Sequence, residues 1–182
     1  KLLPLDSPKI DGYDIAGKSI AAKDVGGDYY DFIPIDDKKI AICLGDVSGK
    51  GMPAAILMAN LQAFLKSIWK QNITLSEASN LINDLVSENT TDGSFITFFW
   101  GILDEKSGNF EFVNAGHNPP LLYEPGSDKL TPLASGCVGM GMLDDLPFVN
   151  EATVSMEEPA KLFCYTDGLV EVIQDSGVEF GT

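Results

Sequence analysis

Strand-type patterning fills both ends of this chain, and one helical stretch divides them. Residues 1–22 are mixed and carry Pro4, Pro8 and Gly12. They predict an entry segment and then a first strand near Tyr13–Ala22. A tight turn at Val25-Gly26-Gly27-Asp28 leads into Tyr29–Ile35, whose aromatic and β-branched residues predict a strand. Asp36-Asp37-Lys38-Lys39 is a polar hairpin turn, and Ile40–Leu44 is a short buried strand that stops at Gly45-Asp46. Pro53 suits a first helical turn, where its missing N–H costs nothing. From Ala54 to about Lys70, residues rich in Ala, Leu, Met and Ile run on without a breaker and predict a helix. Thr74-Leu75-Ser76-Glu77 has the spacing of a capping box and opens a second helix to about Glu88, with Leu81, Ile82 and Leu85 as its apolar stripe. Strands return at Phe95–Asp104, Phe110–Ala115 and Leu121–Tyr123. Gly126–Gly141 is loop-rich, and Ala152–Met156 and Lys161–Tyr165 are the last strands, the latter running into Thr166-Asp167-Gly168. Two strand groups around a helical pair, joined by hairpin-length turns, predict an α/β (α+β) domain of largely antiparallel sheets.

Composition narrows the function without choosing it. With 182 residues and 45% hydrophobic content, the chain suffices for one sizeable globular domain. Its net charge of -15, from 27 acidic and 12 basic residues, argues against nucleic-acid binding and against attraction to an anionic membrane. No apolar run is long enough for a membrane span, so direct membrane insertion is not expected. Cys43, Cys137 and Cys164 form no CxxC pair and leave one thiol over in any disulfide scheme, which suits a reducing, cytoplasmic setting.

Against this acidic background, three aspartates share a local design. Asp28 follows Gly26-Gly27, Asp46 follows Gly45 at the end of an apolar strand, and Asp167 precedes Gly168 at the end of another. A strand end is a rigid mount, and the adjacent glycine permits a sharp turn and a close approach to a ligand. Each alone reads more readily as a turn residue. Together they would make an all-oxygen site, which selects Mg²⁺ or Mn²⁺ over Zn²⁺. Gly45-Asp46-Val47-Ser48-Gly49-Lys50-Gly51 is not a phosphate-binding P-loop: three residues, not four, separate the first glycine from Gly49, and Gly51 stands where a hydroxyl is needed. Asp31, three residues after Asp28, falls on the opposite strand face as an auxiliary acid or a solvated edge charge. His117, beside Asn118-Pro119-Pro120, is expected to hold a turn through its ring nitrogens rather than to act as a general acid. Lys23 and Lys50 flank the acidic motifs, as phosphate-binding groups or solvated loop charges.

Four segments, in order, resemble the signatures of the SpoIIE/RsbU-type phosphatases. These are Ala22–Phe32, Gly45–Ala55, Phe112–Leu121 and Tyr165-Thr166-Asp167-Gly168. The resemblance implies a PP2C-like fold of two stacked β-sheets flanked by helices. It further implies a protein serine/threonine phosphatase that uses two Mn²⁺ or Mg²⁺ ions sharing a bridging hydroxide, with no covalent phosphoenzyme. By motif position Asp46 bridges both ions with help from the Val47 carbonyl, Asp28 holds one ion and Asp167 the other. The implied substrate is a phosphorylated STAS-type anti-sigma-factor antagonist. An upstream sensor, joined through a coiled-coil linker at the Leu2-Leu3-Pro4 start, and a homodimer contact through the two helices are implied as well. The family pattern continues into a further strand with another metal aspartate, so residues 1–182 are expected to be one phosphatase domain without that last motif. The alternative in another class is a non-catalytic signalling module that docks a phosphorylated partner or dimerises.

Overall fold

The computed structural model describes residues 3–20, 26–49, 51–69, 71, 73–90, 93–134, 136–156, 159–173 and 177–181. In chain order the elements are β1 (Tyr29–Pro34), β2 (Lys39–Val47), α1 (Met52–Ile68), α2 (Leu75–Asn89), β3 (Ile96–Asp104), β4 (Asn109–Ala115), β5 (Leu121–Glu124), β6 (Lys129–Pro132), β7 (Ala152–Ser155), β8 (Lys161–Phe163) and α3 (Asp167–Val170). They build a five-stranded sheet, β1-β2-β3-β4-β7, and a three-stranded sheet, β6-β5-β8. Every pairing in both is antiparallel.

The two-residue period of the strands sorts their side chains into two cores. Tyr29, Ala41, Cys43, Phe98, Trp100 and Val113 face one way and pack with Leu57, Leu61 and Leu65 of α1 and with Ile82 and Val86 of α2. Phe99, Leu103, Phe110 and Phe112 face the other way and pack with Leu122 and Leu133, with Leu162 and Cys164 at the margin. The layers are therefore helices, large sheet, small sheet. Burial on both faces explains why β2 and β3 read as near-continuous apolar runs. α2 begins with the predicted capping box: the Thr74 hydroxyl accepts from the Glu77 N–H at 3.1 Å, and the Glu77 carboxylate accepts from the Thr74 N–H at 2.8 Å.

Four expectations are corrected. Residues 13–20 form no strand; there is only an isolated bridge between Ile10 and Tyr13, and Ile10, Tyr13 and Ile15 pack on the second core as irregular chain. β2 does not stop at Gly45-Asp46 but continues to Val47, with Asp46 opposite Thr97 in β3. The loop-rich stretch holds β6, whose residues are mostly exposed and carry no hydrophobic alternation. The last strand ends at Phe163, and Asp167 starts the one-turn helix α3 instead of closing a strand.

Candidate active site

Asp46 is mounted inside a strand, opposite Thr97 of β3 and one residue past the last β1 pair at Gly45, so its carboxylate inherits the rigidity of the ladder. By alternation it projects from the same face as Ile40 and Ile42, toward the small sheet. The Gly26-Gly27-Asp28 turn lies directly against it. The Val47 N–H reaches the Gly27 carbonyl at 3.4 Å. A Cβ on Gly27 would sit 2.8 Å from the Val47 carbonyl oxygen and 3.3 Å from Asp46 Oδ1. Only a glycine admits that approach, and it brings Asp28 alongside Asp46. Ser48 fixes the other flank: its N–H donates to the Phe95 carbonyl at 2.9 Å, and its Oγ accepts from the Phe95 N–H at 2.8 Å.

Asp167 comes from a distant part of the chain, yet it adjoins the same place. Burial first, and then the charges of Asp167, Asp28 and Glu171, together push the Asp46 carboxyl up from 3.8 to about 6. Asp28 is raised too, chiefly by burial and then by Asp167, while a hydrogen bond from the Thr166 side chain works in the opposite direction. Three of the predicted acids are thus close enough to repel one another, and none of the ion pairs found among the described residues involves them. Half-buried, like-charged carboxylates with oxygen donors only are a donor set suited to a hard divalent cation. Among the described residues no three acidic, His or Cys side chains already stand in the closed arrangement of a metal cage. The donor chemistry fits such an ion, and closing on it requires local adjustment.

Asp31 is neither solvated nor part of this cluster. It is 4% exposed and lies on the helix-facing side of β1. Its Oδ2 accepts from the Tyr29 hydroxyl at 3.2 Å and pairs with Lys66 Nζ of α1 at 3.4 Å. His117 is buried, with Nδ1 2.9 Å from Thr97 Oγ1 and Nε2 3.1 Å from the Tyr165 carbonyl. Its backbone N–H donates to Asn114 Oδ1 at 2.8 Å. The ring nitrogens thus reach distant parts of the chain instead of holding the local turn, which the backbone bond to Asn114 does, and burial lowers the imidazole's pKa, favouring the neutral ring. Lys23 and Lys50 lie outside the described residues, as do Ala22–Val25 of the first motif. Glu171, Thr166 and Thr97 escaped the sequence reading. Glu171 follows Asp167 by one helical turn, a spacing that could have pointed to it; Thr97 is legible only once its register opposite Asp46 is known.

The SpoIIE family profile, described as Stage II sporulation protein E, matches residues 36–182. The chain belongs to the SpoIIE family. As a SpoIIE-family domain it is 28% identical over 176 residues to the phosphoserine phosphatase RsbU of Bacillus subtilis, covering 97% of this chain and 52% of RsbU. It is 26% identical to the phosphoserine phosphatase RsbP of the same organism, covering 83% of this chain and 38% of RsbP. The chain therefore spans about half, or less, of these relatives. Among solved structures it resembles the RsbU and RsbW domains of a Mycobacterium tuberculosis protein, with a TM-score of 0.70, 26% identity, and coverage of 84% of this chain and 42% of that one. RsbX in complex with magnesium superposes with a TM-score of 0.65 at 17% identity, covering 81% of this chain and 69% of that one, which speaks for the fold. The two-sheet architecture is thus that of the PP2C-type phosphatases, as the motifs implied. No described helix is long and apolar enough to cross a membrane.

Proposed function

We propose that this SpoIIE-family domain is a metal-dependent protein serine/threonine phosphatase. The observation that carries the reading is the convergence of Asp46 from a strand, Asp28 from a glycine turn and Asp167 from a one-turn helix on one half-buried place where they repel each other. A fold does not hold like charges together without a use for them, and divalent cations are the partners that this donor set fits. The relatives' names, and the magnesium in RsbX, point the same way. Asp46 is the central ligand, flanked by Asp28 and Asp167, with the Val47 carbonyl as a fourth oxygen. Mn²⁺ or Mg²⁺ bound there would neutralise the phosphoryl group and lower the pKa of a coordinated water. The chain's own part is to fix these oxygens on a ladder and a glycine turn and to keep them half shielded from solvent. The three cysteines take no part: burial raises the Cys43, Cys137 and Cys164 thiols, the latter two to about 11 and about 12. The proposed substrate is a phosphoserine or phosphothreonine on a STAS-type regulatory protein. Regulation through an upstream sensor and pairing of the helices in a homodimer belong to the same proposal.

The test is hydrolysis of p-nitrophenyl phosphate and of a phosphoserine protein with and without Mn²⁺. Turnover should require the metal, vanish with EDTA, survive iodoacetamide, and fall by more than tenfold in Asp46→Asn, a loss above ~1.4 kcal/mol of transition-state stabilisation. Metal-independent turnover, or an Asp46→Asn variant close to the wild-type rate, would overturn the assignment. Binding of a phosphoprotein without any turnover would favour the non-catalytic docking module.

A further inference from the structure

The acids of the candidate site are mounted on different hydrogen-bonded sheets. Asp46 belongs to the large sheet, and Asp167 follows β8 of the small one. One buried side chain spans the gap. Thr97, directly opposite Asp46 in the ladder, lies 2.9 Å from His117 Nδ1, and His117 Nε2 lies 3.1 Å from the carbonyl of Tyr165, two residues before Asp167. A carbonyl can only accept, so Nε2 carries the proton. The neutral ring then accepts the Thr97 hydroxyl proton at Nδ1. His117 is itself held, because Asn114 accepts its N–H at 2.8 Å and donates to its carbonyl at 3.2 Å. His117 as a residue is 3% exposed, so neither ring nitrogen has water as an easy substitute partner.

We propose that His117 is a positioning residue: through the relay Thr97–His117–Tyr165 it sets the distance between the Asp46 carboxylate and the Asp167 carboxylate, and thereby the affinity of the site for a divalent cation. This rests on the proposed phosphatase reading and adds to it a residue that touches neither metal nor substrate. α3 is a single turn, and its N-cap residue Thr166 makes no side-chain capping bond. The Thr166 side chain bonds instead to Asp28 at the half-buried site, so His117 supplies the fully buried one of the two links that hold Asp167 beside Asp46.

Two measurements on the whole chain test this: calorimetric titration with Mn²⁺, and amide hydrogen exchange of the metal-free protein. His117→Ala should weaken Mn²⁺ binding about tenfold, the order seen when a group orienting a ligand is lost. It should also speed exchange at the Leu169 and Glu171 amides, which bond back to Thr166 and Asp167, more than in β2 and β3. His117→Gln, whose amide can still donate to the Tyr165 carbonyl, should recover much of both. Thr97→Val removes only the hydroxyl and should shift both in the same direction by a smaller factor, and it serves if His117→Ala does not fold. A purely structural histidine would instead speed exchange throughout and lower the urea midpoint without a local excess. Wild-type Mn²⁺ affinity and wild-type local exchange in folded His117 and Thr97 variants would overturn the proposal. If the wild-type chain binds no Mn²⁺, the phosphatase reading fails, and the exchange data alone then decide whether the relay holds Asp167.

Discussion

A carboxylate kept above its ordinary pKa is a group that the fold by itself would be better without. For Asp46 the sign follows from linkage. Between pH 3.8 and about 6 the folded chain holds a proton that the unfolded chain has released. Stability arising from this group therefore falls as pH rises through that window and is flat above it. His117 works against it, since a lowered imidazole gains the folded state stability as pH rises toward 6.5. Comparing wild type with Asp46→Asn cancels the histidine. Without metal, the Asp46→Asn variant should match wild type near pH 4 and exceed it at pH 7.5 by on the order of 1 kcal/mol, discounted for water at a half-buried site. Urea melts at both pH values check this; a variant less stable than wild type at pH 7.5 would mean the acids do not repel in the folded state. Removing Asp31 is expected to destabilise the fold, through a lost hydrogen bond. Asp31→Ala strips the buried Tyr29 hydroxyl of its acceptor, while Lys66, half in solvent, can turn to water. A loss of ~1–3 kcal/mol is expected from the orphaned hydroxyl, and Tyr29→Phe in the same background should recover part of it. A double variant no better than the single would place the cost elsewhere.

Element by element, the sequence was legible wherever hydrophobic period and local chemistry agreed. Both long helices, the capping box at Thr74 and the paired runs of β1 to β4 came from pattern alone. The misses share a cause: tertiary contacts outvoted local preference. Gly45 and Asp46 are poor strand formers, yet pairing with Phe98 and Thr97 carries β2 through them. Lys129–Pro132 is too exposed to alternate, and Tyr13 and Ile15 bury themselves on a core with no ladder to join. The candidate site divides in the same way. The glycine-flanked aspartates were visible, whereas Glu171 and the Thr97–His117 link depend on register and on the meeting of two sheets. Gly51, at the head of α1, gives a test at this scale. Its φ of 77° and ψ of -148° lie in a region open essentially to glycine alone. Gly51→Ala should cost ~1–3 kcal/mol and loosen the Asp46–α1 connection, read as a lower urea midpoint together with weaker Mn²⁺ binding. An unchanged midpoint would mean that the loop relaxes to another conformation at no cost.

For the whole molecule, a cation that binds only the folded chain must stabilise it by mass action. Mn²⁺ at a hundred times its Kd should add about 2.7 kcal/mol, and EDTA should remove that gain. A melting temperature indifferent to both would argue against a site for the ion. The two sheets differ in how firmly they are built. β2 and β3 run nine residues each and are paired on both sides, while β8 has three residues and forms one edge of the small sheet. Native-state opening need not be global, and short edge segments open at a fraction of the full unfolding free energy. Opening of β8 alone would carry Asp167 away from Asp46 and Asp28 while the helical core stayed shut. The occupancy of such a centre then tracks the cheapest sub-global fluctuation of the molecule, and mild denaturant would release the ion well before it unfolds the domain.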